Sequence, residues 1–300
     1  MAIDERWIVG LGEVLWDVFP DQVRFGGAPA NFACHARAMG GRVAMVSAVG
    51  PVTDPLADAA IETLGQHGVD TQRIGRNSHE TGRVTVTLDS DGHASYLFSE
   101  SPAWDFISWS DELGALAEDS QCVCFGTLAQ RHEESRRTIR RFLAHMPADS
   151  WRIFDVNLRR NFWNESTIIR SLQLANVLKL NGDELTVVAQ ACGVTSRGTD
   201  ALKAILEQFD LRLVAYTDGK HGATLVNDNE VNFCPAPKVK VADTVGAGDS
   251  FTAAMSLGLL QDWTLEHVNR QAVQVAAYVC TQPGATPTLP EDIVQQFVQR

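Results

Sequence analysis

The stretch Asp243-Thr-Val-Gly246-Ala247-Gly248-Asp249-Ser-Phe251 is the strongest local signal of the sequence, and the apolar run Thr252–Leu260 follows it directly. Gly246, Ala247 and Gly248 carry little or no side chain, so their backbone N–H groups can approach a ligand closely. The apolar run predicts a buried helix over residues 247–260, whose N-terminus and dipole face the glycine turn. The stretch therefore predicts an anion hole with the Asp249 carboxylate beside it.

A carboxylate beside an anion hole suits phosphoryl transfer, because that reaction needs stabilised negative charge and a base for the proton of the acceptor. The motif alone leaves a second interpretation open, in which Asp249 only begins a helix and the glycines only form a turn. Other signatures are missing from the sequence, which has no P-loop, no His-Glu-x-x-His and no Gly-x-Ser-x-Gly. Gly10-Leu-Gly12 lacks the third glycine of a dinucleotide fingerprint, which disfavours a nicotinamide dehydrogenase.

Composition argues against several kinds of partner. The 300 residues are 45% hydrophobic and carry a formal net charge of −12, so we expect a folded protein that binds no nucleic acid. No apolar run approaches the roughly 18–20 residues of a membrane span, and no secretion leader is recognisable. The six cysteines include no Cys-x-x-Cys pair, and Cys122 and Cys124 are expected to be buried thiols on one face of a strand. We therefore expect a cytoplasmic protein with no membrane partner.

The order of apolar runs predicts an α/β fold. Strands are expected at residues 7–11, 43–49, 121–125, 151–156, 177–180 and 213–216, and helices at 28–39, 55–67, 132–145, 165–175, 182 onward, 247–260 and 264–280. This alternation predicts a mostly parallel sheet covered on both faces. Segments of about 13–25 and 83–108 break the alternation, and Asp89-Ser-Asp-Gly92 is a hairpin signal, so a small antiparallel sheet acting as a lid is expected there. Five arginines at helical spacing predict a solvated helix face: Arg131, Arg136, Arg137, Arg140 and Arg141.

The chain resembles the PfkB (ribokinase-like) carbohydrate kinases over essentially its whole length. The resemblance rests on Gly26-Gly27-Ala-Pro-Ala-Asn31 near the start, on the Asp243–Asp249 motif near the end, and on intermediate motifs in the expected order. It implies a single domain over residues 1–300, a Rossmann-like three-layer α/β/α body with the antiparallel lid described above. It also implies an ATP-dependent sugar kinase in which Asp249 deprotonates the sugar hydroxyl and the Gly246–Gly248 amides stabilise the transferred phosphoryl group.

The resemblance also assigns the sites for sugar and nucleotide. It implies sugar contacts from Asp17, Gly27, Asn31, Phe98 and Arg159, and nucleotide contacts from Asn181, Thr217, Gly219, Gly222 and Gly248. Structural roles remain open for several of them: Arg159 could be a surface ion-pair partner and has Arg160 as a neighbour, Asn31 could cap a helix, and Phe98 could pack the lid. The string Thr217–Gly222 could be an ordinary strand–turn–strand.

Metal ions are implied in the same way. Lys179-Leu-Asn181-Gly-Asp-Glu184 resembles the family's Asn-x-x-Glu motif, so Glu184 is expected to act on Mg²⁺ through water. A monovalent cation such as K⁺ is implied beside the anion hole, with mostly backbone ligands from Asp243, Val245, Val279, Gln282, Gly284 and Thr288.

Gly12-Glu-Val-Leu-Trp-Asp17 and Ser101-Pro-Ala-Trp-Asp105 resemble fructokinase-type members, and Asp155-Val-Asn-Leu-Arg159 resembles a segment of fructokinases and 2-keto-3-deoxygluconate kinases. Together they favour fructose as the acceptor. The alternatives are 2-keto-3-deoxygluconate and ribose. A carboxylated sugar would need an extra cation, which Arg159 or Arg24 could supply. A relative that binds a sugar or nucleotide without turnover is a further alternative, although an intact Asp249 argues against it. The strand edges of the lid allow a homodimer.

Overall fold

The computed structural model describes residues 6–88 and 94–298. The strands in these ranges are β1 (Trp7–Leu11), β2 (Leu15–Val18), β3 (Val23–Gly26), β4 (Val43–Val49), β5 (Ile74–Arg76), β6 (Gly82–Leu88), β7 (Ala94–Phe98), β8 (Ser120–Phe125), β9 (Trp151–Asp155), β10 (Val177–Asn181), β11 (Leu213–Thr217), β12 (Ala223–Val226) and β13 (Val231–Cys234). The helices are α1 (Ala28–Ala38), α2 (Pro55–Gln66), α3 (Asp111–Glu118), α4 (Glu133–His145), α5 (Glu165–Leu174), α6 (Gly182–Ala191), α7 (Gly198–Phe209), α8 (Ala247–Leu260), α9 (Leu265–Cys280) and α10 (Glu291–Val298).

The main sheet is parallel through most of its width. Its strand order is β13-β12-β11-β10-β9-β8-β1-β4-β5, and every neighbouring pair from β11 to β5 is parallel. Only β12 and β13, at one edge, pair antiparallel. Every residue of β4 and β8 is buried, because helices cover both faces of the central strands.

Two apolar cores lie on opposite faces of this sheet. One core contains Phe32 of α1 and Phe251 of α8, with residues of α2, α9 and α10. The other contains Phe142 of α4 and Ile168 of α5, with residues of α3, α6 and α7. The predicted three-layer α/β/α arrangement is therefore confirmed.

A second, smaller sheet has the strand order β3-β2-β6-β7. It is formed by the two segments whose patterning broke the alternation. It is mixed rather than purely antiparallel, since β2 and β6 run parallel while β2–β3 and β6–β7 are antiparallel. The predicted turn at Asp89–Gly92 lies outside the described residues.

The prediction that Arg131 lies on a solvated helix face is wrong. Arg131 precedes α4, and its Nη2 lies 2.9 Å from Asp105 Oδ2 in an ion pair whose side chains are 9% and 3% exposed. Its guanidinium carbon lies 4.4 Å from the ring centroid of Trp104 and 4.6 Å from that of Phe162. Sequence spacing placed the residue on the helix, but aromatic rings and a buried carboxylate hold it in the core.

Three other expectations can be compared with the structure. Cys122 and Cys124 are buried in the same core, as predicted. All six cysteines are free thiols. Within the described ranges, no helix has both the length and the apolar character needed to cross a bilayer.

Candidate active site

The parallel strands bring the motifs to one edge of the sheet. Glu13 follows β1, while Asp155, Asn181 and Thr217 are the last residues of β9, β10 and β11. In open α/β sheets ligands bind beyond the carboxyl ends of the strands, so these side chains mark the candidate site.

The glycine turn before α8 leaves backbone amides open. Gly246 has φ 78° and precedes the helix, and an added Cβ would lie only 2.1 Å from the carbonyl oxygen of Ala285, so no larger residue fits. The first helical bond runs from Ser250 N to Gly246 O at 2.8 Å, whereas Ala247 N donates to Thr244 O at 3.3 Å. Among the described residues, the N–H groups of Gly248 and Asp249 have no backbone acceptor. Gly246 N likewise has no acceptor in the described ranges, so the amides open to an anion are those of Gly246, Gly248 and Asp249, while that of Ala247 is engaged.

Asp249 meets the N-terminal glycine-pair motif through a side-chain hydrogen bond. Asn31 Nδ2 of α1 donates to Asp249 Oδ2 at 2.8 Å, across 218 residues of sequence. Burial, reinforced by the neighbouring Asp155 carboxylate, raises the pKa of Asp249 to about 6. Asp249 and the open amides at the start of α8 therefore face α1, which carries the predicted sugar residue Asn31.

Arg159 lies among three carboxyl groups of the site. Its positive charge lowers the pKa of Glu13, Asp17 and Asp249, although burial is the larger effect and raises all three. Glu13 is only 2% exposed, and its pKa is raised to about 7. Arg160, by contrast, lies over the ring of Phe98, 6.0 Å from its centroid. Both arginines are exposed, Arg159 donates to Leu158 O at 3.2 Å, and of the two it is Arg159 whose charge acts on these carboxyl groups.

The smaller sheet contributes two of the predicted sugar residues. Asp17 on β2 is half-buried, and its neighbour Arg24 on β3 lies 3.4 Å from Asp243 beside the glycine turn. Phe98 at the end of β7 forms an edge-on contact with Phe162, with ring centroids 5.4 Å apart. Gly27 has φ 113°, and a Cβ there would lie 2.5 Å from the carbonyl oxygen of Glu13. These contacts bring the second sheet against the loops that follow β1 and β9.

The predicted nucleotide residues follow β10 and β11. Asn181 and Thr217 are paired neighbours at the ends of these parallel strands. Gly219 and Gly222 have φ values of 50° and 117° in the turn between β11 and β12, and a Cβ on Gly222 would lie 2.1 Å from Cys234 O. This turn lies at the same edge of the sheet as Asn181.

The Glu184 carboxylate makes hydrogen bonds that stabilise the fold. It is 5% exposed, and its two carboxylate oxygens accept the N–H groups of Leu158 at 3.0 Å and Asn181 at 2.9 Å. Asn181 caps α6 in return, which forms a complete capping box. Glu184 therefore ties the loop after β9 to the end of β10, next to the glycine turn.

The predicted cation residues are brought together in part. Asp243 Oδ1 accepts Val245 N at 3.1 Å and Asp243 Oδ2 accepts Gly284 N at 3.3 Å. Val279 O accepts Gln282 N at 3.0 Å at the end of α9. Thr288 O instead accepts a hydrogen bond from the Tyr278 hydroxyl at 3.1 Å, and Tyr278 is not one of the predicted cation ligands.

Sequence reasoning missed a buried charged group beneath the glycine turn. Lys179 Nζ lies 3.0 Å from Asp155 Oδ1, and the Thr252 hydroxyl donates to Asp155 Oδ2 at 2.9 Å. The sequence did contain a signal for this pair, namely a lysine within the apolar run Val177–Leu180. A lysine on a buried strand is almost always paired with an acidic group.

This fold and this placement of an acid beside open amides define a Rossmann-like small-molecule kinase. The chain matches the pfkB family of carbohydrate kinases over residues 7–292, and it belongs to that family. The predicted family is thereby confirmed, and the protein is a sugar kinase.

Named relatives are similar along the whole chain. It is 30% identical over 302 residues to a fructokinase of Klebsiella pneumoniae, covering 95% of each chain. An uncharacterized sugar kinase of Pyrococcus horikoshii, solved with ATP, is 28% identical with a TM-score of 0.81 over 97% of both chains. The fructokinase of Vibrio cholerae O395, solved with fructose, ADP and calcium ion, is 26% identical with a TM-score of 0.79 over 99% of this chain and 100% of that one. A double mutant of the latter enzyme was solved with fructose, ADP and potassium ion.

Proposed function

We propose that this kinase transfers the γ-phosphoryl group of ATP to a hydroxyl of fructose. The observation that carries the proposal is the Asn31–Asp249 hydrogen bond of 2.8 Å, which joins the glycine-pair motif to the base at the open helix end. The similar fructokinases of Klebsiella pneumoniae and Vibrio cholerae favour fructose over the other sugars.

In this mechanism Asp249 accepts the proton of the attacking hydroxyl. The open amides at the start of α8, with the helix dipole, stabilise the charge on the transferred group. Glu13 Oε2 and Asn31 Oδ1 are buried and have no partner among the described residues, so both have free capacity for sugar hydroxyls. Arg159 balances the negative charge of the three surrounding carboxyl groups. Asp17, Gly27 and Phe98 complete the sugar site, and Asn181, Thr217, Gly219 and Gly222 border the nucleotide.

Two metal ions belong to the proposal. Mg²⁺ would neutralise phosphate charge, and Glu184 would reach it through water, since both carboxylate oxygens already accept backbone N–H groups. The described residues contain no cluster of three or more His, Cys, Asp or Glu suited to a metal. A monovalent cation such as K⁺ would lie near Asp243, Val245 and Gly284, with Val279, Gln282 and Thr288 close by in the chain.

Three broader features complete the proposal. The smaller sheet acts as a lid of the single domain over residues 1–300, and closes on the sugar through Phe98. Two copies associate through the outer strands of this lid, where Val23 is 48% and Leu97 is 70% exposed. The enzyme works in the cytoplasm, where its free thiols suit a reducing environment.

The test is an assay of ADP release with fructose, ribose, 2-keto-3-deoxygluconate and a nucleoside as acceptors. Fructose should give the highest kcat/KM, and Asp249→Asn should lower kcat by at least about 10²-fold while fructose and ATP still bind. Preference for another acceptor would refute the fructose assignment, and full activity of Asp249→Asn would remove that residue from the mechanism.

A further inference from the structure

Lys179 is a charged residue in the centre of the main sheet. It lies on β10, and its side chain is only 8% exposed. Burial of an ammonium costs several kcal/mol even when a carboxylate compensates, and apolar replacements of buried pairs are often as stable. Stability alone therefore does not explain an ion pair at this position.

The ammonium lies directly under the glycine turn. A Cβ added to Gly248 would be 3.1 Å from Lys179 Nζ, so the lysine touches the turn from inside the protein. Thr252 fixes this arrangement, because its hydroxyl lies 2.9 Å from Asp155 Oδ2 and 3.0 Å from Gly248 O. Both oxygens of Asp155 are thus engaged, one by the ammonium and one by the helix that bears Asp249.

A cation at this place opposes the α8 dipole. The N-terminus of a helix already carries partial positive charge, so a neighbouring ammonium is unfavourable unless negative charge arrives there. Burial lowers the pKa of Lys179, but the surrounding carboxylates of Asp155, Glu184 and Asp249 together raise it above its ordinary value, which keeps the ammonium protonated. The arrangement is favourable when a phosphoryl group occupies the open amides.

We infer that Lys179 is a positioning residue of the phosphoryl-transfer site, which Asp155 and Thr252 hold against Gly248 so that its charge supports the migrating group and the ionised form of Asp249. The inference rests on the proposed function, since it takes the start of α8 to be the transfer site. The charged or titratable groups that face Asp249 are Asp155 from β9, Lys179 from β10, Arg159 from the loop after β9, Glu13 from the loop after β1 and the Cys124 thiol of β8.

The experiment compares pH profiles of kcat/KM for the wild type, Lys179→Met and Asp155→Asn, with ADP release as the readout. Loss of the ammonium should raise the pKa of Asp249 and move the acid limb to higher pH, whereas loss of the Asp155 charge should move it to lower pH. Lys179→Met should also lower kcat about tenfold or more, with little change in the KM for fructose, short of the ~10²–10³-fold effect of a direct oxyanion donor. Lys203→Met, which removes an exposed lysine from α7, is the matched control and should leave the profile unchanged.

A merely structural role of Lys179 would not move the acid limbs of the two variants in opposite directions. A folded Lys179→Met enzyme with wild-type kcat and an unmoved limb would overturn the inference. If either single variant fails to fold, the double variant Lys179→Met/Asp155→Asn is assayed in its place, because it leaves no unpaired buried charge. A tenfold loss of kcat at unchanged melting temperature supports the inference, and full kcat refutes it. An inactive wild type, or an active Asp249→Asn, would refute the proposed function instead, so the two failures are distinguishable.

Discussion

Asp249 must be ionised before it can accept a proton from a sugar hydroxyl. Burial and the nearby Asp155 raise its pKa to about 6, so a growing share of the enzyme is protonated as the pH falls below that value. We expect kcat/KM to be nearly constant above pH 7 and to fall about tenfold per pH unit well below 6. A profile measured with saturating ATP checks this, and an acid limb near the ordinary aspartate pKa would contradict the burial effect.

Gly246 illustrates how strictly the turn restricts its residues. Gly246→Ala would place a Cβ 2.1 Å from Ala285 O at a φ of 78°, so it should destabilise the protein by more than the ~1–2 kcal/mol of a left-handed alanine and should lower kcat. Gly193→Ala is a matched control, because its φ is 69° but no atom lies within 4 Å of the added Cβ. Urea unfolding of both variants gives the comparison. Equal losses of unfolding free energy in the two variants would contradict this prediction, because they would mean that the clash between the added Cβ and Ala285 O is relieved.

At the scale of elements, His35 couples helix α1 to the loop that confines Gly246. Its Nε2 lies 2.9 Å from Ala285 O, and burial lowers the pKa of His35 to about 4. The unfolded chain binds this proton near pH 6.5 but the folded protein does not, so the stability from His35 is present above 6.5 and lost as the pH falls toward 4. We expect wild type to lose up to ~3 kcal/mol over this range relative to His35→Gln. Urea unfolding of both proteins at pH 7.5, 5.5 and 4.5 measures the difference, and parallel pH dependences would exclude the linkage.

The elements that the sequence predicted well are those with one dominant signal. The buried runs at β1, β4 and β8, and the apolar helix α8, were predicted within one residue of their observed bounds. Helix α3 and strands β12 and β13 were not predicted, because short or partly exposed segments have weak periodicity. The parallel pairing of β2 with β6 joins segments more than 60 residues apart, and local patterning contains no information on such a pairing.

The same distinction holds for the candidate site. Asp249, Asn31 and Arg159 were expected near one another through motif resemblance, and the structure brings them together. Lys179 and Asp155 were missed as a pair, since neither lies in a motif that specifies its partner. Their interaction depends on the register of β9 and β10, in which Lys179 is directly opposite Asp155.

At the scale of the whole molecule, the smaller sheet contacts the loop after β9 of the main sheet through Phe98 and Phe162. Phe98→Ala should raise the KM for fructose about 2- to 10-fold, in line with the ~0.5–1.5 kcal/mol of an aromatic pair, and should leave the KM for ATP unchanged. Phe233→Ala is the control, because Phe233 is a phenylalanine on β13, outside the smaller sheet, and is 59% exposed. Equal KM values for wild type and Phe98→Ala would contradict a role of this contact in holding the sugar.

The placement of the two apolar cores has a practical consequence for engineering. The helices that carry Asn31 and Asp249 of the proposed site, α1 and α8, pack in the core of Phe32 and Phe251, whereas α3–α7 pack on the far side of the sheet. Heat resistance can therefore be improved by redesigning α3, α4, α5 and α7, which lie across the sheet from α1 and α8, while α6 stays unchanged because it carries Glu184 and is capped by Asn181. A library confined to these four helices should raise the melting temperature and leave kcat unaltered.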